Sequence, residues 1–234
     1  MFENPVFCAL DTPQIETARE LARLAGPHIG GLKIGMEFFY AHGRAGYEAV
    51  AVAGKPIFLD LKLHDIPNTV ASAIGALAPL KPAILNVHAG GGRQMMRAAA
   101  QAARASGTDM KLIGVSVLTS LDETDLAELG VSGSVADHVR RLGALAQACG
   151  LDGMVCSAHE IEILRAECGA DFLLVVPGIR PAGAAVGDQK RIMSPAQALE
   201  LGANILVIGR PITKAADPAR AALEIAREIE AARA

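Results

Sequence analysis

The sequence predicts an α/β fold, a single (β/α)8 TIM barrel over residues 1–234 with its active site at the C-terminal ends of the strands. Three observations lead there. Eight short β-rich runs alternate with longer helical stretches. Most of these runs are continuously apolar, as expected of parallel strands covered on both faces. No linker, low-complexity tract or break in the alternation divides the chain. An open doubly wound sheet would call for a nucleotide-binding fingerprint after the first strand, and Leu10-Asp11-Thr12-Pro13 is not one.

The predicted strands cover residues 6–10, 31–35, 56–62, 83–88, 111–118, 153–157, 172–176 and 205–209. The helices between them carry their own punctuation. Thr12-Pro13, Ser194-Pro195 and Asp217-Pro218 each put a capping residue before a proline suited to a first helical position. Gly150 and Gly202 fall where a helix should stop. Val135, Val139, Leu142 and Leu145 recur at helical spacing. Hydrophobic residues make up 51% of the chain, enough for a sizeable core, while aromatics are only 3%.

Charge and cysteine usage exclude several function classes. A net charge of −3 gives no reason to expect nucleic acid or an anionic membrane as partner, so any anion site must be local. Cys8, Cys149, Cys156 and Cys168 form no CxxC pair and no metal-ligand spacing, which reads as a reduced, cytoplasmic protein. The N-terminal residues show no basic segment or apolar signal core, and no apolar run approaches the roughly 20 residues of a membrane span.

The most informative stretch is Asp60-Leu61-Lys62-Leu63-His64-Asp65, which follows the apolar run Pro56-Ile57-Phe58-Leu59. Strand alternation turns Asp60 and Lys62 to one face and Leu59, Leu61 and Leu63 to the other. Ionised groups are rarely buried without partners, so this pair is either a structural ion pair or an active site. Its position at a strand end, with Lys33 on the neighbouring strand, Asp11 ending the first strand and Asp65 just beyond, favours an active site. A lysine so placed can donate a proton. His64 is expected to face outward or to cap the loop.

Phosphate sites in barrels usually follow strands seven and eight. Here the seventh strand runs into a long loop, residues 177–189, with Arg180 and Gln189 as donors. The eighth ends at Gly209-Arg210, where backbone N–H groups and a guanidinium fork can meet an oxyanion. Alone, Arg210 could be a surface residue. Gly90-Gly91-Gly92 resembles a phosphate cradle, yet a tight turn and helix start explain it equally well. The hydroxyls of Ser116, Thr119 and Ser120 can bond a heterocycle's amide edge or cap the following turn.

With these motifs in place, the chain resembles the bacterial-type orotidine 5′-phosphate decarboxylases over nearly its whole length. The most specific element is Asp60-x-Lys62-x-x-Asp65-Ile66-Pro67-Asn68-Thr69. Ala9-Leu10-Asp11, Leu32-Lys33-Ile34-Gly35, Asn86-Val87-His88-Ala89, Val117-Leu118-Thr119-Ser120, Pro177-Gly178-Ile179-Arg180 and Ile208-Gly209-Arg210-Pro211-Ile212 support it. The resemblance implies conversion of orotidine 5′-phosphate to UMP and CO2, the last step of de novo UMP synthesis, without metal or organic cofactor. It implies Lys62 as proton donor and Asp60 beside the departing carboxylate. Lys33 and Asp11 would hold the ribose hydroxyls and the charge row, Thr119 and Ser120 would lie near the base, and Arg180, Gln189, Gly209 and Arg210 would bind phosphate. It further implies a homodimer with shared sites, Asp65, Ile66 and Thr69 reaching the partner's site. Two rivals stand beside this reading, with phosphosugar isomerases and epimerases as a further possibility. One is a Mg2+-dependent phosphosugar decarboxylase or aldolase of the same barrel group, in which the position matching Lys33 is acidic; a lysine there repels a metal. The other is a non-catalytic barrel that binds a phosphate ligand.

Overall fold

The computed structural model describes residues 2–181 and 193–233. Eight strands, β1 (Val6–Ala9), β2 (Gly31–Gly35), β3 (Ile57–Leu63), β4 (Ile84–His88), β5 (Lys111–Val115), β6 (Gly153–Val155), β7 (Leu173–Pro177) and β8 (Ile205–Ile208), pair in parallel and in sequential order, and β8 closes on β1. The helices are α1 (Ile15–Ala25), α2 (Met36–Ala51), α3 (Pro67–Leu77), α4 (Gly92–Ala105), α5 (Glu123–Glu128), α6 (Val135–Ala148), α7 (Ile161–Cys168), α8 (Pro195–Glu200), α9 (Arg210–Thr213) and α10 (Pro218–Arg233). This is the (β/α)8 barrel expected. The expected strands over 111–118 and 153–157 stop sooner, at Val115 and Val155. Beyond Val115 the chain is still tied to the next strand, because the N–H and the hydroxyl of Ser116 both donate to the Val155 carbonyl, at 3.2 and 2.8 Å.

Alternation along each strand divides the core in two. Phe7, Phe58, Ile84, Ile113, Val175 and Ile205 fill the barrel interior, while Cys8, Leu32, Leu59, Leu85, Leu112, Leu174 and Leu206 pack outward under the helices. Both faces are dry, so nearly every strand position is apolar. Interior space is shared unequally. A Cβ at Gly31 would overlap the ring of Phe7, and one at Gly153 would overlap the carbonyl oxygen of Leu173. Each glycine is thus the room that its neighbour fills.

Two of the three expected caps form. Ser194 and Gln197 make a reciprocal capping box with Pro195 at the first helical position, and Asp217 Oδ1 accepts from the Arg220 N–H at 3.0 Å. Thr12 does not cap a helix. Its hydroxyl accepts from the Gln14 N–H at 3.3 Å and sits 2.8 Å from Gln14 Oε1, which closes a loop and delays α1 to Ile15. Gly150 and Gly202 stop α6 and α8 with φ of 83° and 107°. On α6, Val135, Val139 and Leu142 are buried and Leu145 is half-buried.

The end of the barrel opposite the charged cluster is held by Arg165 of α7. Its guanidinium donates to the carbonyls of Gly169, Ala170, Phe172 and Gly202 and to Asn204 Oδ1, at 2.6 to 3.2 Å. Asn204 Oδ1 in turn accepts from the Leu174 N–H at 2.8 Å. One side chain so joins the segments entering β7 and β8. A lysine keeps the charge and loses the planar fork. Arg165→Lys is expected to lower the unfolding free energy by about 2 kcal/mol or more, whereas the same exchange at exposed Arg23 should leave it unchanged within error; urea denaturation followed by circular dichroism reads both.

Candidate active site

β2 and β3 run in register, with Lys33 beside Phe58 and Gly35 beside Asp60. This brings four charges into one row at the carboxyl ends of the first three strands. Lys33 Nζ lies 3.0 Å from Asp11 Oδ1 and 3.5 Å from Asp60 Oδ2, and Lys62 Nζ lies 2.7 Å from Asp60 Oδ1. Signs alternate and the row sums to zero, which lowers the cost of burying Lys33 and Asp60, whose side chains are only 10% and 13% exposed. Burial pushes the Asp60 carboxyl up, but the ammonium groups of Lys33 and Lys62 and the hydrogen bonds from Lys62 and Asn86 outweigh it and hold the group below its ordinary 3.8. Asp60 is therefore ionised at neutral pH, and the stabilisation it contributes is lost only as pH falls below that ordinary value.

Asp60 and Lys62 do share a side, but not through a regular strand. The register of β3 against β4 shifts between Leu59 and Leu63. Lys62 sits at φ 50°, in the left-handed region that a non-glycine residue seldom adopts. The N–H that this irregularity frees from the ladder donates to Asn86 Oδ1 at 2.8 Å, and Asn86 Nδ2 donates to Asp60 Oδ1 at 2.7 Å. Asn86 is fully buried on β4. It was absent from the expected site residues, and its one signal in the sequence is an amide standing alone in the apolar run Ile84-Leu85-Asn86-Val87. A buried amide needs partners, and here they are the two ends of the charged pair.

A cavity of about 200 Å3 opens over the row. Lys33, Asp60, Lys62 and Thr119 line one part of it, and Val115, Val117, Val155 and Pro177 line the rest. A larger hollow of about 720 Å3 lies by Phe2, Lys111 and Asp152 at the amino ends of the strands. The smaller one is the better candidate, because it holds the buried charges and lies at the end where barrels place their chemistry.

The other expected residues spread around this mouth. Ser120 is exposed next to Thr119, and Ser116 is occupied in tying β5 to β6. Arg180 is buried, and its backbone N–H donates to the Met193 carbonyl at 3.1 Å, joining the chain on either side of residues 182–192. Gln189, with the loop stretch 182–189, lies outside the described residues. Gly209 sits against Asp11, where an added Cβ would come 3.7 Å from Asp11 Oδ2, and its carbonyl accepts from Ile212 and Thr213 as α9 begins. Arg210 opens that helix and is exposed. Asp65, Ile66 and Thr69 are exposed on the loop after β3 and the first turn of α3. Asp65 Oδ1 accepts from the Ile66 N–H at 2.7 Å and makes no ion pair with Lys33 or Lys62 of its own chain. The triple glycine forms a short turn, Ala89–Gly91, and the start of α4, the structural one of its two readings. His64 is exposed as expected, and it stacks on His88.

Among the described residues no three His, Cys, Asp or Glu side chains gather as a metal site, and no helix is long and apolar enough to cross a membrane. All four cysteines are free and buried, and burial pushes the Cys8 thiol up to about 12, which makes it a core residue and not a nucleophile.

Comparison with known proteins gives the chain its family. Residues 4–225 match the family model described as "Orotidine 5'-phosphate decarboxylase / HUMPS family". The orotidine 5′-phosphate decarboxylase of Erythrobacter litoralis is 55% identical over 222 residues, 95% of this chain and 97% of the relative. That of Rhodospirillum rubrum is 54% identical over 235 residues, 98% and 95% of the two chains. The crystal structure of orotidine 5′-phosphate decarboxylase from Lactobacillus acidophilus superposes with a TM-score of 0.85 at 39% identity, covering 97% of this chain and 99% of that one. A neutral row of four alternating charges at the mouth of a parallel barrel, found in a chain so similar to these proteins, leads to one assignment: the chain belongs to the orotidine 5′-phosphate decarboxylase / HUMPS family.

Proposed function

We propose that this chain, acting as one barrel domain in the cytoplasm, decarboxylates orotidine 5′-phosphate to UMP and CO2 as the last step of de novo UMP synthesis, with Lys62 as the proton donor. The observation that carries the reading is the Asp11–Lys33–Asp60–Lys62 row, whose last three members line a largely apolar cavity, in a member of this family. Loss of CO2 from the pyrimidine leaves an electron pair in the ring plane, which the π-system cannot delocalise. A fixed ammonium beside that carbon stabilises the growing charge, the more so where apolar walls exclude water. Lys62 then delivers its proton to the same carbon. Asp60 keeps Lys62 charged and aimed, and its carboxylate also repels that of the substrate, a secondary contribution.

The row needs no metal for this chemistry. Lys33, held between two carboxylates, occupies the position where the Mg2+-dependent members of the barrel group carry an acid, which disfavours that rival. The barrier to be removed is about 20 kcal/mol or more, beyond what one lysine supplies. Binding energy from the remote phosphate, held by Arg180, Gln189, Gly209 and Arg210, makes up part of the difference at the transition state. Lys33 and Asp11 hold the ribose hydroxyls, and Thr119 and Ser120 meet the base.

The working form is a homodimer in which Asp65, Ile66 and Thr69 complete the partner's site. Two observations support this. Asp65 makes no ion pair with the row of its own chain, and Ile66, an apolar residue beside the mouth, is 68% exposed.

The reading is tested by mixing pure protein with orotidine 5′-phosphate and a chelator and following the ultraviolet absorbance. The substrate signal should disappear at the same rate with and without chelator, and Lys62→Ala should lower that rate by roughly 10³-fold or more. Loss of activity in chelator would favour the metal enzyme, and full activity of Lys62→Ala would remove the proposed donor. Arg210→Ala should lower kcat as well as affinity, and the loss should be much smaller for the nucleoside that lacks phosphate; equal losses on both would count against phosphate binding there. Lys62→Ala and Asp65→Ala should each be nearly inactive, and subunits mixed after dissociation should regain activity, because one hybrid site holds both intact groups. No recovery in verified hybrids would put Asp65 in its own subunit's site.

A further inference from the structure

We propose that His64 and His88 form a ring-on-ring clamp that holds the left-handed Lys62 backbone in place, which makes both histidines positioning residues for the proton donor. The inference rests on the assignment of Lys62 above. Asn86 and His88 are two residues apart on β4, and Lys62 and His64 are two residues apart at the end of β3. Asn86 takes the Lys62 N–H. His88 stacks on His64 with ring centroids 5.1 Å apart and planes 10° from parallel. Leu63 pairs with Val87 between these two contacts. The strained residue is thus gripped on both sides by one neighbouring strand. A backbone in a sparsely populated region persists only where its surroundings over-determine it, and here the surroundings are an amide and an imidazole.

The His88 ring is itself fixed. Its Nδ1 accepts from the Gly90 N–H at 3.1 Å. The turn that provides this N–H passes under both rings: a Cβ at Gly90 would come 3.0 Å from His88 Nδ1, and one at Gly91 would come 3.2 Å from His64 Cδ2. The glycine run that suggested a phosphate cradle therefore has a different use, close passage of backbone beneath a stacked pair. The clamp needs His88 neutral, since a proton on Nδ1 would end its role as acceptor. The residues set against the pair are Lys62 from β3, Gly90 and Gly91 from the turn before α4, and Val115 paired with His88 from β5. Of these only Lys62 carries charge. Burial first, then the His64 and Lys62 charges, hold His88 below its ordinary 6.5, on the side that keeps Nδ1 free.

The test measures kcat and KM on orotidine 5′-phosphate, with thermal melting, for His64→Ala, His88→Ala, the double variant and His64→Phe. A misplaced donor costs turnover and not binding, so each alanine variant should lower kcat roughly 10- to 100-fold with KM little changed. The double variant should be no worse than the more damaged single one, because each half of a clamp is useless alone. His64→Phe keeps a planar ring to stack and should recover most of the lost kcat. Full kcat in folded His64→Ala would overturn the clamp, as would a double variant showing the product of the two single losses. If His88→Ala fails to fold, exposed His64 carries the test alone. Lys62→Ala measured alongside separates the two ideas: an inactive Lys62→Ala with a fully active His64→Ala removes only the clamp, whereas an active Lys62→Ala removes the donor on which the clamp acts.

Discussion

The structure at the barrel mouth depends on the carboxylate of Asp60. Within hydrogen-bonding or ion-pairing distance it has Lys62, Lys33 and Asn86, at 2.7, 3.5 and 2.7 Å. Remove that charge and Lys62 loses its ion-pair partner, Lys33 keeps only Asp11, and the buried amide of Asn86 loses its acceptor. Desolvation makes an unpaired charge expensive there, and the same low polarity strengthens each pairing that is made. The two buried members, Lys33 and Asp60, depend on their partners, whereas Asp11, with its side chain 63% exposed, also has water.

The barrel makes this arrangement cheap to hold. Parallel pairing in strict sequence order brings Asp11, just past the end of β1, beside Lys33 of β2 and Asp60 of β3, and the apolar layer of Phe7, Phe58, Ile84 and Val175 beneath them keeps the floor rigid. Division of labour between the two ends follows. One end carries buried charge and an irregular β3. The other carries Arg165, whose hydrogen bonds to four carbonyls and an asparagine serve cohesion alone.

Backbone strain belongs to the same account. Lys62 takes a positive φ that alanine or leucine would also find costly, so the strain comes from the path of the chain and not from the side chain. The shift in β3–β4 register re-aims Lys62 toward Asp60 and leaves its N–H for Asn86. A bulge that redirects a side chain next to a site is a recurrent use of such irregularities.

Much of this was legible in the linear order of residues. Continuous apolar runs such as Ile205-Leu206-Val207-Ile208 marked strands covered twice, and Ser194-Pro195 marked a helix start, because burial on both faces and capping are local constraints written in adjacent residues. Asp60, Lys62 and Lys33 declared themselves as charges at strand ends. Other features could not be read this way. The partners of Asn86 lie 24 and 26 residues distant, those of Arg165 up to 39, and the His64 and His88 rings meet across 24 residues. Thr12 is ambiguous in sequence because a hydroxyl before a proline can cap a helix or close a loop, and only the place where the chain turns selects between them. Linear order sets the alternation of elements and which residues carry charge, since hydrophobic period and ionisation are properties of short segments. The order of those charges, the amide beside them, the stacked imidazoles and the irregular backbone at Lys62 emerge in three dimensions, because hydrogen-bond partners and strand register are chosen by closure of the barrel and not by neighbours in the chain.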